Sequence, residues 1–197
     1  MPDRTTPVAE ALAELAELLA PGRPAVTEEV LLAYEDPDTY VRTYAGRLDE
    51  RGIDEPVDDL AWIALVDALT ARGLLAEVDW KESGEEIRRQ VRALESRPAT
   101  DPWSLSGEAD RAEELDTYAF LTRYGALHLD VGTALAVLDI ESDCYPLVLL
   151  PAARAAELTS LARRAGFAAA VLRPDGIQGL PVGSCWALNQ PDPNERP

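Results

Sequence analysis

The segment Asp79-Trp80-Lys81-Glu82 gathers the side chains of this 197-residue sequence best equipped for chemistry: an ammonium set between carboxylates and beside an indole. Lysine is a compact donor whose pKa falls on burial, so amine nucleophiles and proton carriers are lysines rather than arginines. Lys81 is the single lysine among 18 basic residues, so whatever favoured arginine elsewhere spared this position. As a catalytic set, Lys81 would act with Asp79 and Asp143 as proton carrier or charge clamp for a small anionic substrate. The opposing reading is a surface lysine paired with Asp79, Glu82 or Glu85 at a helix start, a common and cheap arrangement.

The other candidates are thinner. His128 is the only histidine, and Leu127 and Leu129 beside it give it a structural look. Asp143, next to Ser142, also suits a turn, where both side chains satisfy backbone groups. Asp67 interrupts an apolar helix and needs a donor, for which an arginine is the expected partner. Asp67, Asp79 and Asp143 together would make an acidic cation site, but no spacing rule ties them. Cys144 and Cys185 are too few and too far apart for a zinc cluster, and both read as small buried hydrophobes, with a disulfide between them the alternative. No phosphate loop, dinucleotide fingerprint, nucleophile elbow or paired-histidine motif occurs, so neither a cofactor nor a metal is expected.

Composition narrows the partners. With 36 acidic against 18 basic residues the net charge is −18, and the acidity is spread along the chain. Such a surface repels phosphate backbones, which excludes nucleic acid and suits a basic protein partner steered by charge. No apolar run is long enough to cross a bilayer, and Glu10, Glu14 and Glu17 interrupt the start where a signal peptide needs an apolar centre. A cytoplasmic protein is expected.

The elements that must position these residues follow from periodicity. Val8, Ala11, Leu12, Leu15, Leu18 and Leu19 make an amphipathic helix that Pro21 and Gly22 stop. Thr27 caps a second helix to Glu35, and Asp36-Pro37 opens a third that ends at Gly52. Pro56 starts a fourth, apolar nearly all round from Leu60 to Leu69 and therefore central. Leu74 to Trp80 is a short strand, and Ser83 with Glu86 caps a fifth helix to Arg97 whose narrow stripe marks it as a surface helix. Residues 98–107 form a connector before a helix to Tyr124. Ala134–Ile140 and Tyr145–Leu150 form a hairpin, Pro151 starts a helix ended by Gly166, Phe167–Leu172 is a strand, and Val182–Leu188 another.

The expected fold is α+β: an N-terminal helical layer packed on a small, mostly antiparallel C-terminal sheet with strand-strand-helix-strand order. It spans residues 1–190 as one domain, with a helical part at 6–98, the connector at 98–107, a helix-plus-sheet part at 108–190 and a frayed tail at 191–197. The segments Gly73 to Glu82 and Asp139 to Tyr145 resemble an uncharacterised bacterial family of unknown function, over a region from Val57 to Phe167. That resemblance implies no activity and no site residues. The function expected is therefore a non-enzymatic protein-binding protein, immunity- or adaptor-like, whose acidic surface includes Trp80, Lys81, Glu82, Asp143 and Tyr145. The alternative is the lysine/carboxylate enzyme.

Overall fold

A computed structural model describes residues 6–107, 115–173 and 176–178 of the chain. Its centre is a five-stranded antiparallel sheet in the order β1-β3-β2-β4-β5, with β1 Leu75–Asp79, β2 Thr133–Asp139, β3 Cys144–Pro151, β4 Ala168–Arg173 and β5 Gly176–Gln178. β2 and β3 are the central hairpin, with Leu135 opposite Leu149. β1 joins the outer side of β3, with Val78 opposite Tyr145. β4 joins the outer side of β2, with Val137 opposite Ala170.

Successive strand residues point to opposite faces, and here both faces are covered, which is why the runs are apolar without alternation. Ala134, Ala136, Leu138, Val148 and Leu150 belong to a core shared with α1 (Pro7–Leu19), α2 (Pro24–Glu35), α5 (Leu60–Thr70) and α9 (Ala155–Ala165). Leu135, Val137, Leu147 and Leu149 belong to another, shared with α6 (Gly84–Ala93), α7 (Pro102–Leu105) and α8 (Thr117–Asp130). The fold class is the expected α+β, with helices first and the hairpin, α9 and β4 in strand-strand-helix-strand order. Two things differ: the N-terminal half lends β1 to the sheet, and α6 to α8 close its second face.

Local signals set most helix ends. Thr6 caps α1 by accepting from the Ala9 N–H at 3.2 Å. Asp36 caps α3 (Pro37–Thr43) through the Thr39 N–H at 3.1 Å, and Gly52 takes φ +71° after α4 (Ala45–Asp49). Several expected bounds shift. α2 starts at Pro24, whose fixed φ suits a first turn, and Thr27 lies inside it. The third helix breaks at Tyr44 into α3 and α4. α5 starts at Leu60 rather than Pro56, and α6 stops at Ala93 rather than Arg97. Pro151 closes β3, and a 3-10 turn at Ala152–Arg154 leads into α9. Cys144 is a partly exposed free thiol; Cys185 and the strand expected at Val182–Leu188 lie outside the described residues.

α5 is central, as its all-round apolarity implies, with Leu60 through Leu69 buried. Trp62 pins it to the sheet: its indole N–H donates to the Asp139 carbonyl at 2.7 Å, and its ring stacks on Phe167 at 4.9 Å. On the other face α8 runs past Tyr124 to Asp130 because Gly125 lets it lie directly on β4. A Cβ at Gly125 would stand 2.4 Å from the Leu172 Cβ and 2.7 Å from its carbonyl oxygen. Because that clash is with backbone, no rotamer relieves it. Gly125→Ala is expected to cost about 3 kcal/mol of unfolding free energy in urea titrations; an unchanged midpoint would show that α8 can lift off β4 freely.

Candidate functional site

The chain leaves β1 at Asp79 through a tight turn. The Trp80 N–H still pairs with the Asp143 carbonyl at 3.1 Å, while an Asp79 carboxylate oxygen accepts the Lys81 N–H at 2.8 Å and turns the backbone. Ser83 then caps α6 by accepting the Glu86 N–H at 3.2 Å. Only this half of the capping box forms. Glu86 spends its carboxylate on Arg89 and Gln90, and the Ser83 N–H goes to Glu82 at 2.9 Å. Asp116 caps α8 through the Ala119 N–H at 2.7 Å, and the Thr117 hydroxyl donates to the Glu82 carbonyl at 2.9 Å, tying the two helix starts together.

Between those helix starts lies a cleft of about 420 Å³, lined by Trp80, Lys81, Glu82, Ser83, Leu115, Asp116, Thr117, Tyr118 and Tyr145. Four of the five residues expected to bind thus converge there. Trp80 is 39% exposed, unusual for an indole, whereas Tyr145 is buried at 2%. Lys81 is exposed and lays its ammonium over the Trp80 ring, 4.3 Å from the centroid, and among the described residues no carboxylate pairs with it. Asp79 and Asp143 flank the cleft in sequence but are not among its lining residues. Leu115, Asp116, Thr117 and Tyr118 escaped the sequence reading, and Ser83 was read there only as a helix cap. The available signal was Asp116-Thr117, an N-cap pattern ahead of an apolar-periodic run.

Asp67 does find its arginine. Arg51 reaches one Asp67 oxygen with Nε at 2.8 Å and Nη2 at 2.6 Å, and also holds Glu77 at 2.6 Å. Burial opposes the guanidinium charge, but the hydrogen bonds to Glu77 and Asp67 outweigh it and raise its pKa. Among the described residues no three His, Cys, Asp or Glu side chains gather to hold a metal ion, so the Asp67–Asp79–Asp143 assembly does not form. A neighbouring buried carboxylate, Glu29, is held by Arg47 at 2.7 Å and Arg72 at 3.5 Å.

His128 is structural. It is 1% exposed, neither ring nitrogen has a hydrogen-bond partner, and its ring meets Tyr124 edge-on at 4.6 Å. Burial holds its pKa down to about 4, so it is neutral at pH 7. Tyr124 in turn donates to Asp101 at 2.9 Å, and Asp101 pairs with Arg88 at 2.7 Å, joining α8, α7 and α6.

A family model described as a domain of unknown function, DUF6630, matches residues 11–173. The chain belongs to the DUF6630 family. The match runs from α1 to β4, well beyond the Val57–Phe167 region of the sequence resemblance, so the DUF6630 domain includes both faces of the sheet and every cleft-lining residue. No curated protein and no solved structure matches the chain. No helix among the described residues of this DUF6630 chain is long and apolar enough to cross a membrane.

Proposed function

We propose that this chain is a cytoplasmic, non-enzymatic binding module that receives an arginine side chain from a basic segment of a partner protein in the Trp80–Tyr118–Tyr145 cleft. The observation that carries this reading is the composition of the cleft wall: the accessible rings of Trp80 and Tyr118 above the buried Tyr145, with the Glu82 and Asp116 carboxylates beside them. Ring faces attract cations, and a guanidinium stacks on them while its N–H groups seek carboxylates. Arginine and aromatic residues are the usual anchors of protein interfaces. The net charge of −18 supplies long-range attraction for such a partner and repels its competitors of like sign.

An end-blocked tri-arginine peptide, followed by isothermal titration calorimetry, tests this. Saturable binding is expected at low salt, weakening about ten-fold or more by about 0.5 M salt as charge steering is screened. Trp80→Ala should abolish it while leaving the fold intact, since Trp80 lies at the cleft mouth, 39% exposed, and belongs to neither buried core cluster. Equal binding by wild type and Trp80→Ala would sink the reading.

The second reading, an enzyme acting on a small anionic substrate, draws on the position of the Lys81 ammonium over a ring instead of a carboxylate. Against it, Asp79, Glu82 and Asp116 are committed to backbone N–H groups and still carry charge that opposes an anion. Saturable binding of phenyl phosphate that Lys81→Met abolishes would reverse the choice.

A further inference from the structure

We infer that Lys81 is a tethered competitor for the cleft: its ammonium occupies the Trp80 ring face that a partner's guanidinium would use, and the partner must displace it. The inference rests on the cation-binding reading above and concerns how that same site is regulated. Three observations carry it. The Lys81 ammonium lies 4.3 Å from the Trp80 ring centroid, within the range of a cation–π contact. Both side chains line the cleft, so the contact is made where the ligand would sit. Among the described residues no carboxylate pairs with the ammonium, although Asp79 and Glu82 stand on either side of it; these accept the Lys81 and Ser83 backbone N–H groups at 2.8 Å and 2.9 Å.

The turn geometry makes the arrangement intramolecular. Asp79 fixes the Lys81 backbone immediately after the strand, so the side chain needs only its own rotamers to reach Trp80. An exposed cation–π contact is weak, so the tether attenuates affinity and does not block it. Removing the positive charge at Lys81, by substitution or by acylation of its amine, frees the ring face and raises affinity for a cation.

The single lysine makes the test unambiguous. Protein labelled with ¹³C-lysine gives one lysine spin system, whose ε-CH₂ protons are expected to be moved upfield by the Trp80 ring current in the free state. On titration with the tri-arginine peptide they are expected to return toward their ordinary position. Lys81→Ala is expected to bind the peptide about two- to five-fold more tightly than wild type, and Lys81→Arg, which keeps a stacked cation, no more tightly. Peptide binding that depends on Trp80 but leaves the lysine signal unmoved overturns the competitor and spares the cleft reading, even if Lys81→Ala binds tighter through net charge alone. Absence of binding by both wild type and Lys81→Ala overturns the cleft reading itself. Binding by Lys81→Ala but not by wild type or Lys81→Arg supports a stronger competitor.

Discussion

Arg51→Ala is expected to lower the unfolding free energy by about 3–5 kcal/mol, the cost of breaking a buried ion pair by removing one partner. Asp67 is 6% exposed on its side chain and sits in the last turn of α5, whose residues Leu60 through Leu69 are all buried. Its second carboxylate oxygen already lacks a hydrogen-bond partner, so Arg51 is what compensates the charge. Glu77, 22% exposed, loses the same partner but keeps some access to water. A double variant, Arg51→Met with Asp67→Leu, is expected to recover most of the loss, since removing both charges also removes the desolvation cost. Urea titrations of the three proteins measure this. A loss below about 1 kcal/mol in the single variant would mean that water reaches Asp67 and that α5 is less enclosed than its packing implies.

The second large effect depends on pH. His128 has its pKa lowered from the ordinary 6.5 to about 4, chiefly by burial, with Asp101 opposing weakly. The unfolded chain therefore binds a proton more readily than the folded one. The stability this represents is fully present above pH 6.5, declines as pH falls from 6.5 to 4, and levels off below. The total is about 3 kcal/mol, of which about 2 kcal/mol is gone by pH 5. Because the chain has one histidine, His128→Leu should flatten that part of the profile. At pH 7.5 the variant should equal or exceed wild type in stability, since two buried ring nitrogens without partners are replaced by an apolar group. Denaturation midpoints at pH 7.5, 6 and 5 would decide it; profiles that fall in parallel would place the acid lability elsewhere.

Much of this was legible in the residues, for identifiable reasons. The apolar runs Ala134–Ile140 and Tyr145–Leu150 announced buried strands, and the polar residues between them announced a hairpin. The all-round apolarity of Leu60–Leu69 announced a central helix. Trp103 was lost in a connector rich in Pro and Ser, whose turn chemistry is local, whereas its complete burial beside Phe120 and Tyr124 is tertiary. Gly125 hid the length of α8, because a helical glycine looks like an ending until the strand beneath it is known. Asp67 declared that it needed a donor. That the donor is Arg51, shared with Glu77, depends on α5 and β1 meeting in space. In the cleft, Trp80, Lys81, Glu82 and Tyr145 stood out by type and neighbourhood. Asp116 to Tyr118 join them only because α8 starts beside α6.

The partnership of α1 with α9 sets a timetable for synthesis. The two helices pack together and share one core, and Arg164 reaches Glu14 across 150 positions at 2.9 Å. Translation at about 5–20 residues per second leaves roughly 7–30 seconds between completion of α1 and the emergence of α9. Through that interval α2 and α5 can shelter only part of the Leu12–Leu15–Leu19 stripe. The nascent chain carries an incomplete apolar surface until α9 emerges, so the time taken to synthesise the residues between α1 and α9, as well as helix propensity at α1, bears on how cleanly it folds.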